Sequence, residues 1–322
     1  MTTHPNALVD TARHIPVTEA TQTVSVNPVT LPAPDRGLPL QLRITAPTAG
    51  ADLPIILLSH GGGSSLHLPS KDGYVPLVDF YAAHGFAVIQ PTHLSARIGG
   101  FGLDPTAEGF PIFWRSRVAD MTLVLDGLDE IEALVPAVAG RLDHGRIAAV
   151  GHSGGSHTVA MLLGARVADV DADLTDPRVK AGVLLAPTGN GGADLVDSVR
   201  EGFPEMDLDF AHLATRALVV FGDADDSPAL TVRGPDWHAD AYHHGPGADG
   251  LLTLFGAKHF LGGVTGYDAR ETDDEDPDRL AVTQRMTWAY LRSALHDGDP
   301  AWAAACEALR ERGAAQGRVD TK

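Results

Sequence analysis

Apolar positions along the chain recur in two alternating patterns. Leu38-Pro-Leu-Gln-Leu-Arg-Ile44 alternates as a half-buried strand does. Pro54-Ile-Ile-Leu-Leu-Ser59 and Phe86-Ala-Val-Ile-Gln90 are short, mostly apolar runs, the mark of strands covered on both faces. The segments 146–150, 179–185, 217–221 and 251–255 repeat that pattern. Between them lie helical stretches: Pro76 to His84, Thr158 to Val167, and about Arg279 to Leu295. A long helix is expected from Trp114, where Val118, Met121, Leu125, Leu128 and Ile131 follow at spacings of three and four on one face. A last helix opens at Asp299-Pro300, an N-cap with proline at the first helical position, and Gly313 stands where a C-cap belongs.

Strands alternating with helices predict an α/β fold, a mostly parallel central sheet with helices on both faces. Residues 1–36 are polar and Pro-rich and read as an N-terminal arm, laid on the domain or left loose. Residues 37–322 show no repeat and no break in composition, and read as one domain. Two irregular stretches, 93–113 and 187–212, are expected to form a lid or a pocket wall.

Composition narrows the function. The 322 residues are 44% hydrophobic, enough for a true core, and hold one cysteine, Cys306, so neither an internal disulfide nor a multi-thiolate zinc site can form. Cys306, among alanines on a helical face, reads as a buried small residue. Asp and Glu number 42 against 24 Lys and Arg, a net charge of −18 that repels phosphate backbones and excludes nucleic acid as a partner. No run approaches the roughly 18 apolar residues of a membrane span. Met1 to Ala20 lacks the continuous apolar run of a signal peptide, so a cytoplasmic location is expected. The oligomeric state stays open.

The chemistry concentrates at strand ends. Gly151-His152-Ser153-Gly154-Gly155 sits between an apolar strand and a helical run, the context that gives a G-x-S-x-G motif its meaning. A sharp turn there presents the serine oxygen above a helix N-terminus, and glycine alone leaves room for the backbone on either side. A serine hydroxyl needs a base, and the base a third group to fix its tautomer. Strand 217–221 runs into Gly222-Asp223-Ala224-Asp225-Asp226, and strand 251–255 into Gly256-Ala-Lys-His259. His259 is the expected base. Asp225 is the preferred acid because three residues past Gly222 allow the turn to reverse; Asp223 is the alternative and better placed to cap the turn. Two backbone amides should face the oxyanion: Gly154, and Gly62 of His60-Gly61-Gly62-Gly63, with Gly63 as the alternative.

Taken together, the HGGG stretch, the GHSGG elbow, and the Asp and His after successive late strands resemble the α/β-hydrolase superfamily. Trp114 to Leu128, Gly151 to His157 and Gly222 to Ser227 are similar to the dienelactone-hydrolase, chlorophyllase and platelet-activating-factor-acetylhydrolase-like branch. The resemblance implies a serine ester hydrolase with Ser153, Asp225 and His259 as triad and no cofactor, acting on a small-molecule ester. It departs from true dienelactone hydrolases, whose nucleophile is cysteine, and from aspartate-nucleophile dehalogenases and epoxide hydrolases. The same triad could act on amide, thioester or carbon–carbon bonds or in lyase chemistry, and a non-catalytic binding protein on this scaffold is the further alternative.

His60, Phe101, Phe110, Phe113, Trp114 and His152 are expected to line the substrate pocket, with core packing the competing role for each aromatic, as for Trp237 and Tyr242. His60, His93, His152 and His157 show no metal-binding spacing, and no metal is expected. The acidic run Thr272-Asp-Asp-Glu-Asp276 reads as a solvated cap on the following helix.

Overall fold

A computed structural model of the chain describes residues 12–266 and 273–322. The first eleven residues of the expected arm and Thr272 of the acidic run lie outside the described residues.

The strands are β1 (Thr23–Leu31), β2 (Leu40–Pro47), β3 (Leu53–Ser59), β4 (Ala87–Pro91), β5 (Leu142–His152), β6 (Arg166–Val167), β7 (Val179–Leu185), β8 (Leu208–Asp209), β9 (Arg216–Gly222), β10 (Ala248–Leu254) and β11 (Gly317–Thr321). Nine of them form one sheet in the order β1-β2-β4-β3-β5-β7-β9-β10-β11; β6 and β8 pair separately. From β4 to β10 neighbouring strands run parallel, while β1, β2 and β11 close the two edges antiparallel. The fold is α/β with a mostly parallel sheet, as the alternation of patterns predicts.

The helices are α1 (Val75–Ala83), α2 (Trp114–Asp126), α3 (Leu128–Leu134), α4 (Gly154–Leu162), α5 (Asp197–Gly202), α6 (Asp240–His244), α7 (Pro277–Leu295) and α8 (Ala301–Arg312). They cover the sheet on both faces, which explains the near-continuous apolar strands. In β3, Ile55 and Leu57 pack with α2, α3 and α4, while Ile56 and Leu58 pack with α1, α7 and α8. No helix among the described residues is long and apolar enough to cross a membrane.

Four expectations are corrected. The 1–36 arm contributes β1, which pairs with β2 from Thr23 to Leu31. Its side chains are mostly exposed or half-exposed, so it carried no apolar signal. The long helix is two, because Gly127 closes α2 by donating to the Leu123 carbonyl before α3 starts. The helix expected at Thr158–Val167 starts at Gly154, directly after Ser153, and is over by Leu162. The edge strand β11 lies beyond the last expected helix.

Candidate active site

β5 delivers Ser153 to the carboxyl edge of the sheet, and α4 departs immediately from it. Ser153 has φ 54° and ψ −121°, a strained backbone for a residue with a side chain. The flanking glycines are sterically required. A Cβ on Gly151 would lie 2.2 Å from the Gly155 carbonyl oxygen, and one on Gly155 would lie 2.0 Å from that of Ser59. The Ser153 side chain does not cap α4, so its hydroxyl is not spent on the helix.

The glycine loop after β3 lies beside this elbow. A Cβ on Gly61 would stand 3.2 Å from that of Ser153, and one on Gly154 3.8 Å from the Gly62 amide nitrogen. The two expected oxyanion donors, Gly62 and Gly154, therefore flank the serine. Gly62 is exposed, as is Gly63.

Asp225 and His259 come from the loops after β9 and β10. Those loops are stitched together: Ala224 N–H donates to the Ala257 carbonyl at 3.0 Å, and Gly256 N–H to the Asp223 carboxylate at 2.6 Å. Asp223 thus caps the turn, and Asp225 reaches the histidine. His259 Nδ1 lies 2.9 Å from Asp225 Oδ2, with Asp225 3% exposed. Burial works to raise the Asp225 pKa, but the hydrogen bond from His259 and the fields of His259, His238 and His152 outweigh it and hold the carboxyl below the usual aspartate range.

A second imidazole lies beside this carboxylate. His238 Nε2 is 3.3 Å from Asp225 Oδ2, while its Nδ1 faces the Pro187 carbonyl. A carbonyl can only accept, so His238 Nδ1 carries a proton, and the Ser227 hydroxyl lies 3.3 Å from Nε2. Burial keeps the His238 pKa below that of a free histidine, against the pull of Asp225.

His152 is no pocket wall. It is 2% exposed. Its Nε2 lies 2.8 Å from the His259 carbonyl oxygen and its Nδ1 3.0 Å from the Tyr74 hydroxyl, which also accepts the Gly61 N–H at 2.9 Å. Burial, with the His259 charge next, lowers the His152 pKa to about 3. The ring is therefore neutral, with its proton on Nε2 facing the carbonyl, and Tyr74 donates to Nδ1.

His60 is also buried and belongs to a polar lattice under the glycine loop rather than to a substrate surface. Its Nε2 accepts the His93 N–H at 3.0 Å, and its carbonyl accepts from Arg117. Arg117 also donates to Thr158 Oγ1 at 2.8 Å and Ser95 Oγ at 2.6 Å; burial lowers its pKa to about 10, so it stays charged at neutral pH. His93 Nδ1 donates to Asp120 at 2.9 Å, and His93 Nε2 lies 3.0 Å from the Ser59 hydroxyl. Asp120, raised to about 6 by burial, is held by Arg36 at 2.7 Å.

Three of the expected aromatics share a groove. A groove of about 970 Å³ runs along α2, lined in part by Phe101, Phe113 and Trp114. Ser153, Gly62, Gly154, Asp225 and His259 do not line it. Phe110 is exposed and meets Phe113 edge-on at 6.4 Å. Trp237 is fully buried and donates to the Asn190 carbonyl, and Cys306 is half-buried with its pKa pushed up to about 11 by burial. Of the irregular stretches, 93–113 holds short turns at Arg97–Gly99 and Phe101–Leu103, and Arg97 donates to the Ser64 carbonyl beside the glycine loop. The stretch 187–212 holds α5 and β8.

The acidic run divides its labour. Asp276 caps α7 by accepting from Asp278 N–H and Arg279 N–H, as expected. Asp274 is buried, not solvated, and accepts the Lys258 N–H at 2.8 Å, fastening the residue before His259. Among the described residues, ligand atoms of Asp129, Glu132 and His144 lie within 4.8 Å of one another. Glu132 there already accepts the Arg141 and Leu142 amides at the far end of β5.

Sequence reasoning missed Tyr74, Arg117, His238 and Asp274. Tyr74 left one trace, its place before Val75-Pro76 at a helix start; Asp274 stood in the acidic run but was read as solvated, and Arg117 and His238 left none. No protein-family model matches the chain, and no curated protein does either.

Proposed function

We propose that the chain is an α/β-hydrolase whose Ser153, His259 and Asp225 form a catalytic triad that cleaves carboxylic esters. The observation that carries the reading is the Asp225–His259 hydrogen bond, on a loop fastened through His152 to the residue preceding a strained, glycine-flanked serine. His259 takes the Ser153 proton as the oxygen attacks the ester carbonyl, and Asp225 holds the imidazole in the accepting tautomer and stabilises its charged form. The Gly62 and Gly154 amides receive the oxyanion, and the alcohol leaves with the proton from His259. Water, deprotonated by the same histidine, then releases the acid. The nucleophile, acid and base follow one another along the chain in the order this superfamily uses.

A fluorophosphonate should label Ser153 of the folded protein, and p-nitrophenyl esters should be hydrolysed faster than matched amides and thioesters. The Ser153→Ala variant should lose the label and at least about a thousandfold in kcat/KM. An unlabelled wild type, or full activity in the variant, refutes the reading.

A further inference from the structure

The three loops that meet at Ser153 leave the ends of β3, β5 and β10, and one buried chain of hydrogen bonds passes through all of them. It runs from Gly61 N–H to the Tyr74 hydroxyl, from that hydroxyl to His152 Nδ1, and from His152 Nε2–H to the His259 carbonyl. We propose that Tyr74 and His152 are positioning residues: they hold the oxyanion loop and the base loop in register with Ser153. This inference rests on the esterase reading above.

Each link has one direction. The His259 carbonyl can only accept, which assigns the His152 proton to Nε2 and makes Nδ1 an acceptor. The Tyr74 proton must then point at Nδ1, and its oxygen accepts the Gly61 amide. Because burial keeps His152 neutral, no link reverses between mildly acid and alkaline pH.

The surroundings fit this role better than simple filling of the core. Tyr74 is 2% exposed and has φ 63°, a left-handed conformation that a bulky residue adopts only where neighbours impose it. A Cβ on Gly61 would stand 2.9 Å from the His152 carbonyl oxygen and 3.0 Å from the Tyr74 hydroxyl, so the glycine admits the close approach that the chain needs. The rings of His152 and His259 lie 5.0 Å apart, and Phe260 packs 5.6 Å from His152. The place of His259 thus follows from the ring beside the nucleophile, and that of Gly62 from its neighbour Gly61. Misplacing either damages the transition state, where the oxyanion and imidazolium exist, more than the bound ester.

The test uses the full chain, wild type and Tyr74→Phe, with p-nitrophenyl acetate as substrate and a fluorophosphonate to count competent sites. The expected result is a kcat reduced about 10- to 100-fold, a KM within about twofold, and an unchanged fraction of labelled sites. A kcat that falls only in proportion to the labelled fraction means loss of folded protein and overturns the proposal; so does an unchanged kcat. Nitrogen NMR of the wild-type histidines gives a readout independent of turnover: His152 should carry its proton on Nε2 alone from pH 8 to about 5.5. A proton on Nδ1 in that range overturns the chain as drawn. If wild-type Ser153 takes no label, the esterase reading fails by itself, and the NMR result alone then decides whether the chain exists.

Discussion

Acidification from pH 7 to pH 5 is expected to cost this fold a large share of its stability. His152 and His157 are buried, and burial lowers their pKa values to about 3 and about 4 from an unfolded value of 6.5. Both stay neutral in the native state, whereas the unfolded chain takes up a proton on each as pH falls through 6.5. For a lowered histidine the penalty is absent well above 6.5 and grows until the folded pKa is reached. At pH 5 it amounts to about 2 kcal/mol for each of the two. Asp120 works in the opposite sense: raised to about 6, it binds a proton in the native state first and returns about 1 kcal/mol over the same interval. These three groups leave a net loss of about 3 kcal/mol, and His60 and His93, both lowered well below 6.5 by burial, add to it. Typical domains have only about 5–15 kcal/mol to lose. Urea unfolding followed by tryptophan fluorescence at the two pH values measures the difference, with the slope against urea as a check on two-state behaviour. A His157→Gln variant should flatten the dependence by about 2 kcal/mol. Equal stabilities at pH 7 and pH 5, or greater stability at pH 5, would refute the reasoning.

Three substitutions separate neighbouring groups. Asp225→Asn should lower kcat/KM about 10³- to 10⁴-fold, while Asp223→Asn, which weakens only the cap on Gly256, should stay within about tenfold of wild type; the reverse ranking in ester assays would move the triad acid to Asp223. In His259→Asn the Asp225 carboxylate loses its principal partner and the His259 field on His238 is gone, so the His238 titration midpoint, read by nitrogen NMR, should rise; an unmoved midpoint would show that His238 does not sense these neighbours.

The site was legible in the sequence to the extent that it depends on backbone turns. Gly151-His-Ser-Gly-Gly155 and Gly222-Asp-Ala-Asp225 announce strand ends because only glycine tolerates those close approaches, and apolar runs mark the strands themselves. What depends on distant segments meeting was not legible. Tyr74 looks like an ordinary residue before a proline-led helix, and its role appears only when His152 and Gly61 are placed beside it. His238 lies in a short turn without periodicity, and its place beside Asp225 is set by the Pro187 carbonyl. The aromatics Phe101, Phe113 and Trp114 were visible as residues, but sequence does not say which side of α2 they face. Likewise β1 was hidden by its exposed side chains, and α4 by a first turn of Gly-Gly-Ser-His that reads locally as loop. The start of α4 is set by the elbow, against its own propensity.

β11 forms the outer border of β10, whose far end leads into the His259 loop, yet it follows β10 in sequence by more than sixty residues. During synthesis on the ribosome, β10 therefore waits with one row of amides and carbonyls uncovered until that late segment emerges. A nascent chain stalled within α8 would expose a bare sheet margin able to recruit a strand from another polypeptide, and β11 acts as a late seal on β10.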